Sequence, residues 1–253
     1  MSAPLVCSIG ASDPWNAAGV GLDVRALDAC GARALTVVCG VTAQDRHGVH
    51  AAAPVAASLV AAQFDALAEA PVAAYRIGAL LDPASAAVVA ERLAGADVPV
   101  VYDPVLGPSG GGGFADDATR ACLIERLLPV CTLVTPNLAE AAALTGVRRI
   151  ADRDGMERAG RALVALGARA ALVTGGHLPG APLDVYVDAH GSRDYAAPRL
   201  ALELRGTGCL LACALAAWLA RGASTHDAIE RARAFVRERI AAGVERGGMR
   251  TAY

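Results

Sequence analysis

Short apolar runs alternate with amphipathic stretches along the whole chain. Seven runs have the length and the Val, Leu and Ile content of β-strands, namely residues 5–9, 34–38, 74–77, 98–102, 132–135, 170–174 and 184–188. Eight stretches have helical spacing, namely residues 20–30, 57–69, 83–94, 116–127, 138–145, 152–166, 208–220 and 225–240. Near-continuous apolar strands are typical of a parallel sheet that is buried on both faces.

This alternation predicts an α/β fold in which a mostly parallel central sheet carries helices on both faces. No linker interrupts the pattern, so residues 1–253 are expected to form one domain. Ligands of such sheets bind beyond the carboxyl ends of the strands. The loops there are rich in Gly, Pro, Asp and Asn, and the glycine-rich residues 107–114 are expected to form a mobile loop that closes over the substrate.

Net charge, apolar runs and cysteine spacing limit which partners and which cellular compartment can be expected for the protein. The net charge of −2 gives no electrostatic reason to expect nucleic acid or an anionic membrane as a partner. The chain shows neither an export leader nor a run of about 18 apolar residues. Its seven cysteines lack C-x-x-C spacing. We therefore expect a cytoplasmic protein with reduced thiols and no membrane span.

The usual phosphate-binding motifs are missing from the sequence. All 23 basic residues are arginines, so the lysine-containing P-loop cannot occur, and no G-x-G-x-x-G follows a strand. A Gly-Thr-Gly-Cys motif, residues 206–209, stands at the start of a predicted helix instead. Backbone N–H groups and the helix dipole favour an anion there and lower the pKa of a thiol in the first turn. The spacing alone leaves two interpretations equally open: an anion site with a reactive Cys209, or a glycine turn beside an inert core thiol.

Further motifs follow one another along the chain. They are GASDPWNAAGVGLD (10–23), VTAQDRHGV (41–49), RIGAL (76–80), YDPVLGPSG (102–110), TPNLAEAAALTG (135–146), TGGH (174–177) and RGTGC (205–209). Together they resemble the hydroxymethylpyrimidine/phosphomethylpyrimidine kinases of thiamine biosynthesis, within the ribokinase-like superfamily. The resemblance implies a three-layer α/β/α sandwich and phosphoryl transfer from ATP, with Mg²⁺, to a hydroxymethyl group and then to its phosphate. The family often forms homodimers, and no motif in this chain identifies an interface.

The resemblance also assigns roles to individual residues. Cys209 matches the catalytic base, and the residues before it match the anion hole, namely Gly206, Thr207 and Gly208. Asp23, Gln44 and Val105 match the residues that hold the aminopyrimidine. A carboxylate can accept a hydrogen bond from the amino group of that ring, and an amide can pair with an acceptor and a donor together.

A second set of residues matches the nucleotide and metal side of the site, namely Asp103, Asn137, Glu140, Thr174 and Arg205. Asp103 and Glu140 are expected to hold Mg²⁺ through water, because carboxylate oxygens suit this ion. Asn137 with Glu140 three residues later is also the pattern of a helix N-terminus.

The chain departs from the family pattern in the segment WNAAG (15–19), which begins with Trp15, and at Ala11, Ala79, Thr174 and Arg205. Trp15 is expected to bring a large ring to the substrate pocket. Thr174 replaces a lysine and removes a cation from the nucleotide side, whereas Arg205 replaces a histidine and is expected to compensate by binding phosphate oxygens. These departures leave two alternatives open: a kinase of another hydroxymethyl heterocycle such as pyridoxal, and a non-catalytic pyrimidine-binding protein.

Overall fold

A computed structural model of the protein describes residues 2–107, 113–176, 178, 180–202 and 204–253. The strands are β1 (Leu5–Ser12), β2 (Arg33–Asp45), β3 (Gly48–Pro54), β4 (Val72–Ile77), β5 (Val100–Tyr102), β6 (Leu133–Val134), β7 (Ala170–Thr174), β8 (Leu183–Asp188), β9 (Gly191–Ala196), β10 (Val244–Arg246) and β11 (Met249–Thr251). The helices are α1 (Gly19–Ala29), α2 (Ala57–Ala66), α3 (Pro83–Leu93), α4 (Asp117–Cys122), α5 (Leu138–Thr145), α6 (Arg153–Ala165), α7 (Thr207–Leu219) and α8 (Thr225–Ala242). A π-helical turn (Leu123–Leu127) and a 3-10 turn (Leu128–Val130) continue α4. Residues 108–112 of the predicted mobile loop and His177 of the TGGH motif lie outside the described residues.

Within these described ranges, nine strands form one sheet in the order β3-β2-β1-β4-β5-β6-β7-β8-β9. The six central strands, from β2 to β7 in this order, are parallel. β3 pairs antiparallel to β2 at one edge, and β8 and β9 add antiparallel pairs at the other. The strand order reverses between β1 and β4, which is the position where sheets of this kind bind their ligands.

Two apolar clusters cover the two faces of the sheet. Residues of α1, α7 and α8 pack on one face, and residues of α2, α3, α5 and α6 pack on the other. Successive side chains of a strand point to opposite faces, so in β1 Val6 joins the first cluster and Cys7 joins the second. The predicted three-layer α/β/α sandwich with a mostly parallel sheet is confirmed.

Helix α7 is apolar around nearly its whole circumference and lies among α1, α8, β4 and β5. A helix with this pattern is stable only when it is buried on all sides. Its Ala and Cys residues are small, which lets the neighbouring helices approach closely. No helix in the part of the chain that the structure describes is both long and apolar enough to cross a bilayer. The packing of α7 directs its N-terminus to the reversal point of the sheet.

Candidate active site

The glycine frame of the 206–209 motif forms the start of α7. Gly206 is the N-cap with φ of +82°, and a Cβ at this position would collide with the Ala17 carbonyl oxygen. No side chain caps the helix, so its first N–H groups have no side-chain acceptor. Gly208 is exposed, and Cys209 is the third helical residue. The prediction that Cys209 lies in the first turn of a helix is confirmed.

The Cys209 thiol lies in a buried, charged environment. Arg76 and Asp103 are its charged neighbours, and the Gly19 N–H donates to its sulfur. Burial raises the pKa of Cys209 to about 12, against the opposing effects of Arg76 and Gly19. The helix N-terminus therefore does not bring the pKa of this thiol below its ordinary value in the free protein, because the loss of solvent outweighs the dipole of one helix.

A buried arginine joins two of the predicted site residues. Arg76 in β4 is 1% exposed, and its Nη1 and Nη2 donate to Asp23 Oδ2 and Asp103 Oδ2, each at 2.8 Å. Ser8 Oγ and Cys213 Sγ also donate to the Asp23 carboxylate, at 2.6 and 3.2 Å. Burial raises the pKa of both carboxyl groups, and the charge of Arg76 opposes this rise. The guanidinium therefore holds two carboxyl groups in fixed positions under the cleft.

Arg76 is a site residue that the motif assignments missed. Its signal in the sequence is a single charge within an otherwise uncharged strand, Val72–Ile77. A buried guanidinium is tolerated only beside anionic partners. Gly78, two residues later, leaves room for it, because a Cβ there would overlap Arg76 Nη1.

Asp103 directly follows β5, Glu140 lies in the first turn of α5, and the two carboxyl groups interact electrostatically. Asp103 is buried, and Glu140 is half-buried in the first turn of α5. Burial, and then the charge of Asp103, raise the pKa of Glu140 to about 8. Two carboxyl groups of this kind suit a divalent cation, whose charge relieves their repulsion. The described residues contain no cluster of three metal-binding side chains, so Mg²⁺ would complete its coordination with water and phosphate oxygens.

Substitution of Asp103 by asparagine should lower the pKa of Glu140 from about 8 toward the ordinary glutamate value, because a nearby negative charge is removed. The side-chain carboxyl resonance of Glu140, followed by ¹³C NMR against pH, measures this change. Asp194→Asn, at the far edge of the sheet, is the matched control and should leave the titration unchanged. A Glu140 pKa that stays at about 8 in Asp103→Asn would show that the two groups do not interact.

Asn137 and Thr174 lie next to each other beside Glu140. Asn137 caps α5: its Oδ1 accepts from Ala139 N and Glu140 N, while Glu140 Oε2 accepts from Asn137 N at 2.8 Å. This confirms the helix N-terminus that the sequence pattern predicts. Thr174 forms a backbone bridge with Asn137, and its Oγ1 donates to the Pro136 carbonyl oxygen at 3.3 Å. Contact of either residue with a nucleotide stays a prediction.

Arg205 lies at the opposite end of the site from Thr174. Its Nη2 donates to Gln44 Oε1 and its Nη1 to the Asp45 carbonyl oxygen, each at 2.7 Å. Gln44 belongs to β2 and Thr174 to β7, and four strands separate β2 from β7 in the sheet. The guanidinium of Arg205 is therefore bound beside Gln44 in the free protein, and its contact with phosphate oxygens in place of the missing lysine stays a prediction.

The other residues predicted to surround the substrate differ in exposure. Asp23 has no exposed surface, and both of its oxygens accept from protein donors, so direct contact with a substrate requires this network to open. Val105 is half-buried in the turn after β5, where its N–H donates to the Asp103 carbonyl oxygen at 2.8 Å. Trp15 is 47% exposed and packs on Gly247, in the turn between β10 and β11.

A separate open pocket of about 360 Å³ lies between β9 and α8 and contains none of the predicted site residues. Most of the charged groups that line it are already paired: Arg193 with Glu230, Asp194 with Arg153, and Arg233 with Asp184. The predicted site residues therefore lie at the carboxyl edge of the sheet, away from this pocket.

Comparison with known proteins gives matches over nearly the whole chain. The sequence profile of the phosphomethylpyrimidine kinase family matches residues 13–252. The chain is 38% identical over 247 residues to the hydroxymethylpyrimidine/phosphomethylpyrimidine kinase of Streptomyces coelicolor. This alignment covers 97% of this chain and 91% of that protein.

Two solved structures have the same fold over almost all of their length. The phosphomethylpyrimidine kinase of Clostridium difficile 630 superposes with a TM-score of 0.82 at 27% identity, covering 93% of this chain and 98% of that chain. An ADP complex of Bacillus subtilis pyridoxal kinase superposes with a TM-score of 0.90 at 25% identity, covering 99% and 96%.

Proposed function

Because the chain belongs to the phosphomethylpyrimidine kinase family, we propose that it transfers the terminal phosphoryl group of ATP to 4-amino-5-hydroxymethyl-2-methylpyrimidine, to the monophosphate of this alcohol, or to both. The chain is a phosphotransferase. The observation that carries the assignment is Cys209 in the first turn of α7, beside Asp103 at the carboxyl edge of the sheet. The ADP complex of the similar pyridoxal kinase supports ATP as the phosphoryl donor.

The start of α7 is the anion hole for the transferring phosphoryl group. Gly206, Thr207 and Gly208 offer backbone N–H groups that no side chain caps, and the helix dipole adds to their attraction for an anion. The Asp103 carboxylate lies beside Gly208, with its Oδ1 3.4 Å from the position of a Cβ there. Mg²⁺ held by Asp103 and Glu140 would supply the positive charge that neutralises these carboxylates and the phosphate oxygens.

Cys209 accepts the proton that the alcohol loses. Bond formation to the attacking oxygen is slight in a loose transition state, so this proton leaves late and a weak base suffices. In the free protein Cys209 is a neutral thiol, because burial and the nearby carboxyl groups raise its pKa. If a bound cation neutralised the charge of Asp103, Arg76 and the Gly19 N–H would favour the thiolate, and the Sγ proton of Cys209 would be released to water as the ligands bind. The thiolate would then take the proton from the hydroxymethyl oxygen.

Gln44 and Val105 hold the ring at the other end of the site, where the Gln44 amide presents hydrogen-bonding groups and Val105 an apolar surface.

We further propose that Mg²⁺ is the metal and that the reaction occurs in the cytoplasm. The seven cysteines are all unpaired, which suits a reducing compartment. Assembly into a homodimer and the lack of a nucleic-acid partner stay predictions.

A substrate panel tests the proposed function. With ATP and Mg²⁺, ADP formation should show kcat/KM about tenfold or more higher for the pyrimidine alcohol or its phosphate than for pyridoxal, since a site built to hydrogen-bond one ring discriminates against another. The fold match to pyridoxal kinase makes pyridoxal the relevant competitor. Faster turnover of pyridoxal would replace the pyrimidine assignment, and no ADP formation with any of the three would indicate the non-catalytic alternative.

A further inference from the structure

The amide of Gln44 has a defined orientation because an arginine binds one end of it. Arg205 Nη2 lies 2.7 Å from Gln44 Oε1. A guanidinium carries only donors, so the amide atom that faces it must be the oxygen. Nε2 then occupies the other end of the amide. Among the described residues no group accepts a hydrogen bond from Gln44 Nε2, although Oε1 has a cationic donor.

Arg205 is itself held at several points. Its Nη1 donates to the Asp45 carbonyl oxygen at 2.7 Å and approaches Met249 Sδ at 3.7 Å. Its backbone N–H donates to the Arg250 carbonyl oxygen at 3.2 Å. The residue also immediately precedes Gly206, the N-cap of α7. Arg205 therefore ties the end of β2 and the strand β11 to the start of the anion hole, and its guanidinium has little freedom to turn away from Gln44.

We propose that Arg205 is a positioning residue that makes Gln44 a hydrogen-bond donor to the substrate, so that the site selects a heterocycle with a ring nitrogen acceptor opposite Gln44 Nε2. The inference rests on the proposed function, in which Gln44 contacts the pyrimidine. The cation at Oε1 occupies one lone pair and draws electron density from the oxygen, so the free NH₂ group is the stronger partner for a ligand. The sequence-based expectation of an amide that pairs with an acceptor and a donor together becomes a donor-only contact.

Two pyridine analogues of the pyrimidine alcohol test this inference, each with one ring nitrogen replaced by C–H. For the wild-type protein, one analogue should show kcat/KM about 10- to 100-fold below that of the pyrimidine, because its ring leaves the Gln44 donor unpaired. In Arg205→Ala the amide can rotate, so this discrimination should fall to about threefold or less. The KM of the pyrimidine should rise about tenfold, by a larger factor than kcat falls, as expected for lost ground-state binding.

Gln44→Glu is a second variant that keeps the partner of Arg205 and replaces the NH₂ donor by an oxygen. It should raise the KM of the pyrimidine by about tenfold or more and keep the melting temperature of the wild type. Equal discrimination in Arg205→Ala and wild type, or an unchanged KM in Gln44→Glu, would overturn the role of Arg205. Wild-type protein that phosphorylates the pyrimidine and both analogues equally would also overturn it, while leaving the proposed function intact. No turnover of any pyrimidine would instead remove the proposed function.

Discussion

Replacement of Cys209 by alanine should lower kcat by about 10²- to 10⁴-fold, which is the usual effect of removing a general base. The side chain lies in the first turn of α7 between Arg76 and Asp103, and the backbone that forms the anion hole does not depend on it. The KM of ATP should therefore stay within about threefold of the wild type. Steady-state ADP formation with the preferred pyrimidine substrate measures both constants.

Cys213→Ala is the matched control for this substitution. Cys213 is one turn further along α7, is fully buried and donates to Asp23 Oδ1 at 3.2 Å, so it stabilises the ion cluster and has no path to a substrate. Most of the activity should remain in this variant. If Cys209→Ala turned over at the wild-type rate, the thiol would have no part in proton transfer and the interpretation as an inert core thiol would apply.

Substitution of Arg76 by methionine should lower the free energy of unfolding by about 3–5 kcal/mol, which is the cost of leaving buried charges without their partner. Methionine approximates the length of the side chain but removes both donors to Asp23 and Asp103. Urea denaturation followed by circular dichroism measures the loss. Arg76→Lys keeps the charge and one set of donors, and should lose less than half as much stability.

The pH dependence of this loss separates charge burial from simple loss of packing. Burial already raises the pKa of Asp23 and Asp103, and removal of Arg76 takes away the main opposing effect. A carboxyl group whose pKa is higher in the folded than in the unfolded state stabilises the fold at low pH, and that contribution is lost as the pH rises through the folded pKa. The destabilisation of Arg76→Met should therefore be larger at pH 8 than at pH 5. Equal losses at both pH values would mean that the two carboxyl groups do not carry buried charge.

The sequence predicted the central strands and the helices because burial dictates their composition. The predicted 170–174 and 138–145 coincide with β7 and α5. β3 escaped prediction because its residues are mostly small and exposed, so pairing with β2 rather than burial defines it. β9 was missed because charged residues occupy two of its six positions. The helix predicted over 116–127 continues past Cys122 only as a π-helical turn, a detail that apolar spacing does not encode.

The candidate site was predictable where a role depends on local sequence. The glycine frame and Cys209 lie within four consecutive residues, and the cap of α5 lies within another four. Long-range partners were not predictable in the same way: Arg76 binds Asp23 and Asp103 from 53 and 27 positions away, and Arg205 reaches Gln44 across 161. Such pairs depend on which strand ends meet at the sheet edge, so only the fold reveals them.

The protonation state of Cys209 determines how fast its sulfur reacts with oxidants when no substrate is bound. Peroxides and alkylating reagents attack thiolates rather than thiols. Because burial raises the pKa of Cys209 to about 12, the thiol is almost entirely protonated at pH 7 while the site is empty. In the proposed reaction the thiolate forms only with substrate bound, when the alcohol and the nucleotide would occupy the cleft beside the sulfur. The sulfur would then be ionised only while bound substrate covers it, and the neutral thiol present between turnovers resists conversion to sulfenic acid.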